Sequence, residues 1–160
     1  MKDIVIYLDV PPYLRDYLVH SFGFPVSLPH RSYENILLSS LLKPKSHRRR
    51  HLSDDATGLP VVIPKRSDKK PSVYNYLSDD GRLRVTRALK NIFKMHLWSD
   101  VFPLVNSHAP LNESIDQWCK SQGIAVEHRE AVRQCFFRLR RNHEDYGIVL
   151  GKKYVKSDPI

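Results

Sequence analysis

The stretch NESIDQWCKSQGIAVEHREAVRQCFFRLRRN, residues 112–142, decides how this chain is read. Ile115, Trp118 and Cys119 recur at the spacing of one helix face, with Asn112 placed to cap its start. Gly123 stops that helix and 124–127 make a short connection. A second helix is predicted over about 126–143, burying Ala131, Val132, Cys135, Phe136 and Leu139, with Gly147 closing it. A short helix, a glycine turn and a longer basic helix have the layout of a helix-turn-helix.

The projection of the second helix supplies the functional expectation. With the core stripe between Cys135 and Leu139, the outward arc holds Arg133, Gln134, Phe137 and Arg141, flanked by Arg129 and Arg140. Arginine and glutamine carry the planar donor groups that read base edges, and arginine also anchors phosphates. Glu113, Asp116 and Glu127 lie toward helix starts, where the macrodipole favours acids. A structural hairpin whose Phe137 face meets another protein is the alternative.

Upstream, 77–81 reads as a turn and a long helix follows over 82–105, with Val85, Leu89, Ile92, Phe93 and His96 on one face. At 100° per residue, Arg84, Arg87, Lys90 and Lys94 share the opposite arc with Asn91 and Trp98. An indole beside a basic stripe is placed to stack on a base, or to pack against a neighbouring helix. Residues 43–71 turn to Pro, Ser, Lys, Arg and Asp, a basic loop or linker with one short strand at 59–63. Its run Arg48, Arg49 and Arg50 is suited to a phosphate backbone. Residues 1–42 read as a small scaffold: a strand at 4–10, a helix opened by Pro11 and Pro12 and stopped by Gly23, a second short strand at 24–28, and a helix at 32–42. Ile36, Leu37, Leu41 and Leu42 are its expected core residues. The expected fold is thus α+β and predominantly helical, organised as 1–42, 43–71 and a helical 72–160.

The chain of 160 residues carries 26 Lys and Arg against 17 Asp and Glu, a net +9, which suits a polyanionic partner. The excess is clustered: +6 over 43–70, +5 over 82–94 and +4 over 128–143, while 1–42 sums to −1. No apolar run reaches the roughly 20 residues that cross a bilayer, so a cytoplasmic protein without a membrane partner is expected. Cys119 and Cys135 fall on apolar stripes and are read as buried thiols. No phosphate-binding glycine loop, zinc-binding cysteine pair or nucleophile elbow occurs, so no cofactor, metal or catalytic residue is expected. A metal-dependent nuclease would need Asp9, Asp79 and Asp80 to converge.

Residues 114–141 and the proline-flanked opening resemble small basic DNA-binding proteins of bacterial phages and mobile elements. The resemblance covers about a third of the chain and implies a DNA-binding accessory or transcription-regulating role. With or without it, the partner expected is nucleic acid, DNA in particular, contacted by the basic helix faces and the Arg48–Arg50 run. A homodimer or a protein partner in a larger assembly is the alternative.

Overall fold

Side chains of a strand alternate between faces, so in β1 (Val5–Leu8) Ile6 and Leu8 enter the core while Val5 and Tyr7 point away. The computed structural model describes residues 3–45 and 57–145. After β1, Pro12 starts α1 (Pro12–Phe22) where its missing N–H costs nothing, and Gly23 ends it with a φ of +83°. α2 (Tyr33–Leu41) is capped by Ser32, whose Oγ accepts from the Asn35 N–H at 3.2 Å. β2 (Leu59–Val62) pairs antiparallel with β1, Val5 opposite Val62 and Leu8 opposite Leu59. There follow α3 (Asp79–Asn106), α4 (Leu111–Ser121), a single 3-10 turn (Val126–His128) and α5 (Arg129–Asp145). The fold is predominantly helical α+β, with five α-helices and one two-stranded antiparallel sheet among the described residues.

Two compact units divide the chain, Met1–Ile92 and Phe93–Ile160, with the division inside α3. In the N-terminal unit, Leu14 and Leu18 of α1, Leu38 of α2, Val61 of β2 and Val85 and Leu89 of α3 are fully buried. Each such burial contributes about 1.5–3 kcal/mol. Gly58 allows the sheet to close, since a Cβ there would lie 3.0 Å from Tyr7 Cβ and 3.1 Å from the Leu8 carbonyl oxygen. Arg82 adds a tie by donating to the Tyr7 carbonyl and, at 3.3 Å, to that of Leu77.

Several expectations for this unit need correction. Residues 24–28 form no strand; only Val26 bridges β2, donating to the Pro60 carbonyl and accepting from Val62, each at 2.9 Å. Pro25 lacks the N–H that would extend the ladder. Ile36 is 54% exposed because Asn35, Leu38 and Ser39 take the inward positions of α2, with Leu42 buried just past its end. The long helix begins at Asp79 rather than 82, because Ser78 Oγ accepts from the Gly81 N–H at 3.1 Å and starts it earlier.

In the C-terminal unit, Phe93 meets Trp118 edge-on at 5.6 Å and Trp98 stacks on Phe136 at 5.6 Å, so α4 and α5 both pack on the end of α3. Leu97, Val101, Ile115, Cys119 and Val132 complete the core. α4 ends in a Schellman arrangement: Gly123 has φ +70°, Ile124 N–H donates to the Cys119 carbonyl at 2.9 Å, and Gly123 N–H to Lys120 at 3.3 Å. The end of α3 repeats the pattern with His108, at φ +64°, in the glycine position. Asn112 is not the cap of α4; the cap position falls two residues earlier, on Pro110, with no side-chain cap. Ala131 is exposed and Leu139 only half-buried, because the face of α5 that meets the core centres on Val132, Cys135 and Phe136. Both thiols are free and buried. Gly147 lies outside the described residues.

Candidate nucleic-acid interface

Positive charge is unevenly placed among the described residues. Residues 3–45 hold four basic and four acidic groups, 57–92 hold eight basic and three acidic, and 93–145 hold seven of each. The surplus of the described chain therefore lies in the N-terminal unit, between Lys65 and Lys90.

The arginines of α5 are largely occupied. Arg133 donates to Asp116 Oδ1 of α4 at 2.6 Å and to Glu130 Oε2 at 2.8 Å, and these two carboxylates hold its guanidinium charged above its ordinary range. Its Nε is buried with no acceptor among the described residues. Gln134 donates to Glu130 Oε1 at 2.9 Å. This bond, and then that of Arg133, holds the Glu130 carboxyl below its usual value. Arg140 pairs with Glu144 at 3.4 Å, and Arg129 Nε donates to the Ile124 carbonyl at 3.5 Å. Phe137 is half-buried rather than exposed. Of the expected α5 contacts, Arg141 is exposed with no ionic partner among the described residues; Arg138, which the sequence reading did not single out, is exposed in the same way, and its Nε donates to the Gln134 carbonyl.

Trp98 is turned inward. Its half-buried ring stacks on His143 at 3.9 Å, on Phe136 and on Phe102 at 5.4 Å, so it packs within an aromatic column rather than standing free beside the basic stripe. Lys94 lies in the field of the Cys135 thiol together with Arg138, and burial pushes that thiol's pKa up against both charges. Burial likewise raises Cys119, to about 11. Trp118 Nε1 donates to Asp100 Oδ2 at 2.9 Å, the same oxygen that His96 Nε2 meets at 2.9 Å.

In the N-terminal unit, Arg84 pairs with Asp80 at 3.0 Å across one helical turn, whereas Arg87 is exposed and Lys90 half-buried, neither with an acidic partner among the described residues. A further group gathers at the C-terminal end of α2. Lys43 exchanges backbone hydrogen bonds with Tyr76 at 2.8 and 3.1 Å, and Lys45 N–H donates to the Val73 carbonyl at 3.3 Å. Both lie on extended chain two residues apart, which sets them on one side. Lys69 Nζ donates to the Ser39 and Ser40 carbonyls, offsetting the negative end of α2, and sits 5.7 Å from the Tyr74 ring centroid. Lys43, Lys45 and Lys70 are exposed, with no side-chain partner among the described residues. Arg66 is held bidentately by Asp68, which lowers the Asp68 carboxyl, and Lys65 pairs with Asp3 at 3.1 Å.

Sequence reasoning missed Lys43, Lys45, Lys69, Lys70 and Tyr74. The signal available is the +6 over 43–70, whose densest run, Arg48, Arg49 and Arg50, lies outside the described residues. No group of three His, Cys, Asp or Glu side chains able to hold a metal occurs among the described residues, and Asp80 is engaged by Arg84. No described helix is long and apolar enough to cross a membrane. Compared with protein families, curated sequences and solved structures, the chain matches none at a significant level.

Proposed function

We propose that this chain binds nucleic acid by contact with the phosphate backbone, through the N-terminal unit. The reading rests on one observation: the charge surplus of the N-terminal unit includes cations, Lys43, Lys45, Lys70, Arg87 and Lys90, that have no acidic partner among the described residues. Cations free of internal carboxylates are those that displace counterions from a phosphate chain, giving affinity that falls with the logarithm of salt concentration. Tyr74 among the lysines adds a ring on which a base or sugar can rest. Arg138 and Arg141 of α5 are secondary contacts, and DNA in an accessory or regulatory setting is the partner class proposed.

Titration of labelled duplex DNA, single-stranded DNA and RNA at two salt concentrations tests the proposal. Retention at low salt with a steep loss at high salt is expected, and no retention of any of the three would end it. An acidic protein partner is the second reading, favoured by Tyr33 and Ile36, which are 68% and 54% exposed on α2. Competition of such a partner with DNA would join the two readings; capture of the partner with no DNA retention would replace the first.

A further inference from the structure

The outer face of the small sheet lines a cavity of about 440 Å³ that the basic surface does not use. Its floor follows from strand alternation: Val5 and Tyr7 are the β1 residues turned away from the core, with Pro60 beside them on β2. Gly58 leaves the floor open, having no side chain. Phe24 and Pro25 form a wall just beyond α1, and Phe24 is 62% exposed, an uncommon setting for so apolar a ring. Arg15 of α1 holds its guanidinium 5.9 Å from the Phe24 ring centroid and has no carboxylate partner among the described residues. Asp3 also lines the cavity, with Oδ1 paired to Lys65 at 3.1 Å.

These features select a ligand by chemistry. The volume lies in the range of small-molecule sites, which combine apolar walls with a few polar groups. An exposed ring beside an open cavity favours a planar partner. A guanidinium unpaired by carboxylate and fixed near that ring favours an anion attached to the planar group. Asp3, at the wall, has a second carboxylate oxygen besides the one paired to Lys65, able to accept from an N–H edge. A nucleotide has all three parts: a base for the Phe24 and Tyr7 rings, a phosphate for Arg15, and a donor edge for Asp3.

We propose that this cavity captures one unpaired nucleotide, which makes single strands the preferred partner. The inference deepens the nucleic-acid reading and rests on it where the nucleotide belongs to a strand. A base held in a duplex cannot enter, since its faces are covered by its neighbours. The lysines near α2 serve single and double strands alike.

The test compares a guanine-containing single strand with a blunt duplex of equal length, bound to the native chain, Arg15→Gln and Phe24→Ser. Both substituted side chains reach solvent, so the variants keep the core intact, and circular dichroism checks this. Single-strand affinity is expected to fall about tenfold or more in each variant, with duplex affinity unchanged and Phe24→Tyr restoring the single strand. Equal single-strand binding by the native chain and both variants overturns the cavity proposal and leaves the basic surface standing. Should the native chain retain no strand at all, the function proposed above fails, and guanosine monophosphate decides the cavity. Amide shifts at Tyr7 and Gly58 that vanish in Phe24→Ser uphold a free-nucleotide site, and no shifts overturn it.

Discussion

In the N-terminal unit the described residues carry twelve basic groups against seven acidic, while in the C-terminal unit seven face seven. Yet the densest arginine run among the described residues, Arg138, Arg140 and Arg141, belongs to the balanced unit. The difference teaches that a cluster of charge along one helix is not a surface potential. Arg133 is neutralised by Glu130 of its own helix and by Asp116 of the helix packed beside it, and Arg140 pairs with Glu144, which leaves Arg138 and Arg141 of the run without a carboxylate partner among the described residues. In the N-terminal unit the lysines at the end of α2 meet backbone carbonyls or solvent rather than carboxylates, so their charge remains available.

The comparison breaks most forcefully through the cores on which it stands. Phe136→Ala and Leu14→Ala, one in each unit and both fully buried, are expected to lower stability by about 2–5 kcal/mol each. Denaturant unfolding reads the loss, and a change under about 1 kcal/mol at either site would contradict its place in the core. Next comes charge: Lys43→Ser, Lys45→Ser and Lys70→Ser combined should reduce the slope of log affinity against log salt by up to about 3, one per phosphate contact. Arg138→Ser with Arg141→Ser should change it less. The reverse order would move the interface to α5.

Arg133→Ala sharpens the contrast, since its expected effect is on stability, with nucleic-acid affinity nearly unchanged. A cost of about 1 kcal/mol is expected, because the paired groups are partly solvated and the buried Nε already lacks an acceptor. The pH dependence has a definite sign. Glu130 has a lowered carboxyl pKa in the fold, so its contribution is present above the ordinary value of 4.5 and is lost as pH falls through the lowered one. The gap between native chain and variant should therefore narrow in acid, which thermal unfolding across that range measures. Smallest is His108→Gly, expected to add up to about 1 kcal/mol by relieving a left-handed backbone that a side chain resists. Gly123→Ala, at the matching end of α4, should cost a similar amount.

Much of the fold was legible because local chemistry set it. Pro12 and Gly23 bound α1 and Gly123 ends α4, each by a preference that acts within a few residues. Pairing between β1 and β2 was not, since about fifty residues separate the partners and no short-range rule carries such a contact. The outward arc of α5 was misread for a related reason. Periodicity located Val132, Cys135 and Phe136 correctly, but could not show that Asp116 would reach across to Arg133 or that the Trp98 column would draw in His143. The lysines around α2 went unread because their grouping depends on backbone bonds joining Lys43 and Lys45 to residues 73–76.

Both tryptophans of the chain, Trp98 and Trp118, belong to the C-terminal unit, and every described tyrosine, from Tyr7 to Tyr76, belongs to the other. Indole emission is thus an intrinsic optical label for one half of the molecule, and a sensitive one, because Trp98 lies flat against an imidazole. Following it beside far-ultraviolet circular dichroism through a single melt reveals whether α3, which runs through both halves, makes them unravel together or in turn.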